Sequence, residues 1–173
     1  LYAINYFAID LGAPRSAFQE SAMSYATTED PLHLTNQICF AIYSAVHAVN
    51  KAYKPLLDEL KITYPQYLTL LVLWERDDIT VKDIGELVHL DSGTLTPLLK
   101  RLESNGLIRR QRDKSDERQV RITLTPKGQR LRERAKAVPI HMLGCCGRSR
   151  EELAAMRNEL VKLRDTLLES LPA

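Results

Sequence analysis

Cysteine is scarce in this chain, with three in 173 residues. So few exclude the disulfide framework of a small secreted domain, and an odd count fits thiols kept reduced. No apolar run approaches the length needed to span a membrane as a helix. The first residues lack the basic stretch that precedes the apolar segment of a secretory signal, so a cytoplasmic location is expected. Aromatic residues make up only 6%, and most of them are tyrosine. Internal repeats and low-complexity segments are absent. So are a hydrolytic triad, a phosphate-cradling glycine loop, catalytically spaced carboxylate pairs and any cofactor motif. No enzymatic activity and no cofactor are therefore expected.

What is present suits one domain with a real core, since 45% of the residues are hydrophobic. The net charge of +2 is small, but it is unevenly spread. Residues 1–30 hold one Arg against Asp10, Glu20, Glu29 and Asp30, and they read as an acidic extension of uncertain order. From Thr35, Ile38, Ile42, Ala45, Val46, Val49, Tyr53, Leu56, Leu57 and Leu60 recur at helical steps, with Pro55 placed to kink the helix. A second helix, starting at Pro65 and running to about Glu75, is apolar nearly all round and should be buried, with Trp74 in the core.

The segment ITVKDIGELVHLDSGTLTPLLKRLESNGLI follows. Thr80 can cap one short helix with Asp83 three residues on. Asp91 or Ser92 can cap the next, which ends before Asn105-Gly106. Two short helices with a three-residue turn make a helix-turn-helix. LIRRQR and RQVRITL flank the polar tip DKSDE and read as a β-hairpin. Thr125 and Pro126 open another helix, which Pro139 should bend or end, and GCCGRS breaks the pattern. A last helix carries Leu153, Met156, Leu160, Leu163, Leu167, Leu168 and Leu171 in one stripe, which needs another helix to cover it. The fold expected is mainly α with a small β-hairpin wing: a winged helix-turn-helix over 65–125, and a helical dimerisation region from 31–64 and 126–173.

Between Lys100 and Arg121 stand eight basic and four acidic residues. Phosphate binding needs such local density, because each neutralising contact releases counterions. Ser92, Thr94 and Thr96 offer short hydrogen-bonding side chains at the start of the second helix of the motif, with Lys100 further along it. Arg112, Lys114 and Arg118 flank the hairpin tip, where an Arg can enter a narrow minor groove. Double-stranded DNA is the partner these residues point to. His33, His47 and His89 read as ordinary surface histidines. Pro97, inside the second helix of the motif, reads as a local feature of the helix start.

Cys39 falls near the first turn of its helix, where the dipole favours a thiolate. A lone Cys on an apolar helix is ordinarily a small inert packing residue. Tyr53 lies fourteen residues on, about 21 Å along a continuous helix. If the two cooperate, they do so across a symmetric dimer, and Tyr64 could join them. Two phenols donating to a sulfur would favour its thiolate, and Ile42, Tyr43 and Val46 could shape an apolar pocket for a greasy oxidant.

NQICFAIYSA, AYKPLLDELKITYPQYLTLLVLWE, LDSGTLTPLLKRLE and DERQVRITLTPKG together resemble the MarR-type winged-helix repressors, and closely the organic hydroperoxide sensors among them (OhrR-like). The resemblance covers about residues 32–170. It implies that Cys39 is the reactive thiol and that Tyr53 and Tyr64 of the partner subunit hydrogen-bond it. It further implies that the reduced homodimer binds operator DNA, and that an organic hydroperoxide oxidises Cys39 and releases the DNA. Some members carry a second, late cysteine. Cys145 and Cys146 stand in that region, so the two-cysteine type with an intersubunit disulfide is implied, with the choice between the two open. His141 and Cys145 have a metal-capable spacing but no further ligand nearby, so no metal is expected. The rival readings are a repressor relieved by a small phenolic or aromatic ligand, with Cys39 incidental, and a thiol peroxidase, for which the chain lacks the βαβ pattern.

Overall fold

The computed structural model describes residues 30, 32–113 and 115–171. The acidic extension, apart from Asp30, and Lys114 lie outside the described residues. A single 3-10 turn, Leu34–Asn36, leads into α1 (Ile38–Leu60) and then α2 (Tyr64–Glu75). There follow β1 (Ile79–Thr80), α3 (Val81–Val88), α4 (Ser92–Ser104), β2 (Ile108–Arg112) and β3 (Val120–Leu124). The chain closes with α5 (Pro126–Ala135), α6 (Ala137–Cys145) and α7 (Arg150–Glu169). It divides into two compact units, one made of 1–45 and 148–173, the other of 46–147.

In the second unit local chemistry sets the boundaries. α2 begins at Tyr64, one residue earlier than its proline suggests, because the backbone N–H of Thr63 donates to Gln66 Oε1 at 2.9 Å. Thr80 caps α3, accepting from Asp83 N at 3.1 Å and donating its own N–H to Asp83 Oδ2 at 3.3 Å. α3 ends on His89, whose left-handed φ of 54° turns the chain toward α4. At the end of α4, Gly106 takes φ 69°, which a side chain would oppose. Pro55 sits inside an unbroken α1. Pro139 has the effect expected of it four residues early: α5 stops at Ala135, because a proline at 139 has no N–H for that carbonyl.

β2 and β3 form the expected hairpin, with Ile108 opposite Leu124 and Arg112 opposite Val120. The two-residue β1 joins β3 on the other side, giving the antiparallel order β1-β3-β2. So short a strand has no periodicity and left no trace in the sequence. The core gathers Leu70 and Leu73 of α2, Ile84 of α3, Leu95, Leu99 and Leu102 of α4, and Ile108 and Ile122 of the sheet, all nearly without exposure. Trp74 lies partly buried against this core and donates Nε1–H to the Gly128 carbonyl at 2.9 Å.

In the first unit, Ser149 caps α7 and exchanges hydrogen bonds with Glu152. No residue of α7 is buried, and Met156, Leu160, Leu167, Leu168 and Leu171 are exposed. Among the described residues, no helix is long and apolar enough to cross a membrane.

A side chain at Gly128 would start 2.1 Å from the Leu107 carbonyl oxygen, a backbone atom that cannot swing away. Gly128→Ala should therefore destabilise the protein by about 1–3 kcal/mol. Urea unfolding followed by Trp74 fluorescence measures this, and an unchanged midpoint would contradict the packing described.

Candidate nucleic-acid interface and thiol–phenol site

The DNA-reading candidates are arranged by the cap of α4. Asp91 accepts from Thr94 twice, its backbone N–H at 3.0 Å and its hydroxyl at 2.7 Å. These bonds hold the Asp91 carboxyl below the usual range. The Thr94 hydroxyl is thus spent as a donor and remains an acceptor. Ser92, Thr94 and Lys100 are exposed, and Thr96 is half-buried. A cleft of about 560 Å³ opens between α4 and the wing, lined by Thr80, Ser92, Thr96, Arg110, Arg118 and Gln119 among others. Arg112 and Arg118 are exposed on the wing.

Two of the basic residues of this region, Arg121 and Arg110, are engaged within the fold. Arg121 is engaged by acceptors within the chain. Its Nε donates to Asp78 Oδ1 at 2.8 Å, its Nη1 to Asp113 Oδ2 at 3.3 Å, and its Nη2 to the Asp78 carbonyl. It pins the base of the wing to the turn before β1. There Asp77 Oδ1 also accepts from Leu124 N at 2.9 Å. Arg110 faces Glu103, which accepts its backbone N–H at 3.0 Å, while the Arg110 Nε is buried without a hydrogen-bond partner. Sequence reasoning counted both arginines as charge and missed these roles. The partners of Arg121 lie 8 and 43 residues away, beyond any local pattern.

At the other end of the same unit, the structure brings Tyr53 of α1 and Tyr64 of α2 together, with ring centroids 4.8 Å apart and planes tilted by 54°. Tyr67 adds a third ring 6.0 Å from Tyr53, and Trp74 meets Tyr67 edge-on at 6.4 Å. Tyr67 was missed as a member of this cluster; its place one helical turn after Tyr64 was the available signal. Burial pushes the Tyr53 phenol up to about 12, helped by the charges of Tyr64, Tyr67 and Cys146. Burial also raises Tyr64 and Tyr67. All three stay protonated as hydroxyl donors across the physiological range.

Cys145 is the last residue of α6, and Cys146 is its C-terminal cap. Cys39 is the second residue of α1, in the first unit. All three are free thiols and exposed. Among the described residues, no group of three or more His, Cys, Asp or Glu is placed to hold a metal.

A helix-turn-helix backed by a small antiparallel sheet with a charged hairpin defines a winged-helix protein. A family model described as "Transcriptional regulator SarA/Rot" matches residues 51–134. The organic hydroperoxide resistance transcriptional regulator of Bacillus subtilis is 51% identical over 80% of this chain and 94% of its own length. The regulator TtmR of Methylorubrum extorquens is 49% identical over 91% of this chain and 78% of its own. AbfR of Staphylococcus epidermidis shares the fold with a TM-score of 0.69 at 34% identity, over 88% of this chain and 99% of that one. AbfR has been solved reduced and bound to DNA, and also with a disulfide formed. The chain belongs to the MarR-family winged-helix transcriptional regulators, and within them to the OhrR-like branch. It is a regulator, not an enzyme.

The carboxyl of Asp113 is lowered to about 2, first by the Ser115 hydroxyl and backbone and then by Arg121. An ordinary Asp titrates near 3.9, so the stabilisation from this carboxylate is complete above about pH 4 and is lost as pH falls through about 2. A carboxyl ¹³C titration should place the Asp113 midpoint well below that of a free aspartate. A midpoint near the ordinary value would mean the wing is not held as described.

Proposed function

We propose that this chain is a thiol-switched repressor that binds operator DNA as a reduced homodimer and releases it when an organic hydroperoxide oxidises Cys39. The observation that carries this reading is the contact between Tyr53 and Tyr64, two phenols from different helices that burial keeps protonated. Such donors favour a thiolate held against them. Fourteen residues of unbroken helix span about 21 Å, so the Cys39 they serve belongs to the partner subunit. The exposed apolar residues of α7, together with Ile38, Tyr43, Val46 and Val49 of α1, supply the surface of a dimer. In this reading 31–64 and 126–173 dimerise, and 65–125 reads DNA. Such a regulator works in the cytoplasm, where thiols are kept reduced.

The chemistry balances in two steps. The Cys39 thiolate attacks the peroxide oxygen distal to the organic group. The O–O bond breaks, the alcohol leaves with a proton, and Cys39 becomes a sulfenic acid. Cys145 or Cys146 of the partner subunit then attacks the Cys39 sulfur. Its S–H proton leaves with the sulfenic hydroxyl as water, and an intersubunit disulfide remains. AbfR, solved both reduced on DNA and disulfide-bonded, supports a route of this kind.

On DNA, Ser92, Thr94, Thr96 and Lys100 face the major groove, while Arg112, Lys114 and Arg118 follow the wing. The cleft between them is lined by Arg110 and Arg118, whose charge would favour a backbone phosphate there. A second reading rests on a groove of about 320 Å³ lined by Leu56, Glu59, Leu60, Arg134, Val138 and His141 among others, which has room for a small aromatic ligand. There Cys39 would be incidental.

Cys39→Ser separates the two. It should bind DNA as the wild type does and ignore organic hydroperoxide; a variant that is still released by peroxide would end the sensor assignment. Arg118→Ala should weaken binding and lower the slope of log affinity against log salt by about one phosphate contact's worth. An unchanged slope would remove Arg118 from the interface.

A further inference from the structure

A threonine hydroxyl on a DNA-facing helix can ordinarily rotate to suit its partner, donating to a phosphate or accepting from a base amine. At Thr94 that freedom is gone. The geometry points to Thr94 as a specificity-determining residue that accepts from an amine-bearing base, adenine or cytosine, in the major groove and takes no part in holding phosphate. The inference rests on the reading above, in which α4 enters the major groove, and deepens it.

Three observations carry it. The Thr94 hydroxyl lies 2.7 Å from Asp91 Oδ2. An ionised carboxylate has no proton to give, so Thr94 is the donor and its oxygen keeps only lone pairs. Its bonds from the Thr94 hydroxyl and backbone hold Asp91 below the usual carboxylate range, so it is ionised at neutral pH. Second, the pair is clamped. Asp91 Oδ1 accepts from the Thr94 backbone N–H at 3.0 Å, so both carboxylate oxygens are turned toward Thr94. A Cβ at position 93 would stand 3.0 Å from Asp91 Oδ1, which is tight, and Gly93 leaves that space free. Third, Asp91 and Thr94 are both exposed, while Leu95 and Leu99 are sealed in the core and fix the rotation of α4. The outward face of the helix start therefore presents acceptors at these two positions.

The chemistry of DNA decides what such a pair can recognise. Phosphate oxygens, guanine N7 and O6, adenine N7 and thymine O4 are all acceptors, and none of them can bond the Thr94 oxygen. The donors that the major groove offers are the amines at adenine N6 and cytosine N4. The strand facing Thr94 therefore carries adenine or cytosine at one position of each half-site. A guanine or thymine there would set two acceptors face to face and leave both unsatisfied. The negative charge of Asp91 further disfavours phosphate beside Thr94. Phosphate contacts fall instead to groups that donate, Lys100 on the same helix and Arg112 and Arg118 on the wing.

The test uses the reduced protein and its Thr94→Val, Thr94→Ser and Asp91→Gly variants, each enriching binding sites from a pool of random duplexes at fixed salt. Thr94→Val keeps the shape but loses the acceptor. It should relax one position per half-site, at which the wild type and Thr94→Ser both favour adenine or cytosine by about fivefold or more. Asp91→Gly weakens the helix cap only slightly and frees the Thr94 hydroxyl to donate, so it should admit guanine or thymine at that position. The enriched site is then made with the amine taken out of the major groove, using 2-aminopurine for adenine or pyrimidin-2-one for cytosine. Wild-type affinity should fall about fivefold or more, and that of Thr94→Val should not change. A keto base selected at that position, a Thr94→Val selection identical to the wild type's, or an equal loss by both proteins on the altered duplex would overturn the inference and leave the thiol-switched repressor standing. Wild-type protein that enriches no sequence would sink that reading, and the inference with it.

Discussion

Burial of α2 is the constraint on which the rest of the second unit depends. Its Leu70 and Leu73 are all but sealed, and α3, α4 and the wing sheet pack around them. The same helix presents Tyr64 and Tyr67 to Tyr53 at one end and sends Trp74 to the Gly128 carbonyl at the other. The phenols and the helix-turn-helix with its wing therefore lie in one compact unit.

Much of this arrangement was legible in the sequence because it is encoded locally. The caps at Thr80, Asp91 and Thr125, the Asn105-Gly106 stop and the alternating strands around DKSDE each rest on residues within a few positions of one another. The hairpin and the helix-turn-helix followed directly. The two-residue β1 carries no period of its own and exists only because β3 offers an edge. The pinning of Arg121 by Asp78 and Asp113 is equally a tertiary fact, and it turns a residue counted as DNA-facing charge into a strut.

The candidate site divides the same way. The spacing from Cys39 to Tyr53 implies that, if the two cooperate, they do so between subunits. The likeness to the organic hydroperoxide sensors grouped Tyr53 with Tyr64, and the two rings are in contact. Tyr67 stayed hidden because one more tyrosine on an apolar helix is ordinarily core. The adjacent late cysteines could not be told apart by periodicity.

A switch of this kind needs little energy. Moving a two-state equilibrium from almost wholly bound to almost wholly free takes about 5.5 kcal/mol of differential affinity. A covalent bond between subunits can supply that by holding the dimer in a form that fits DNA poorly. The most direct measurement is the affinity of the reduced wild-type protein for its own upstream DNA, at fixed salt, before and after one equivalent of organic hydroperoxide and again after a thiol reductant. A thiol-switched repressor binds tightly, lets go on oxidation and recovers on reduction. Binding that survives the peroxide would contradict the switch and return Cys39 to the role of a packing residue.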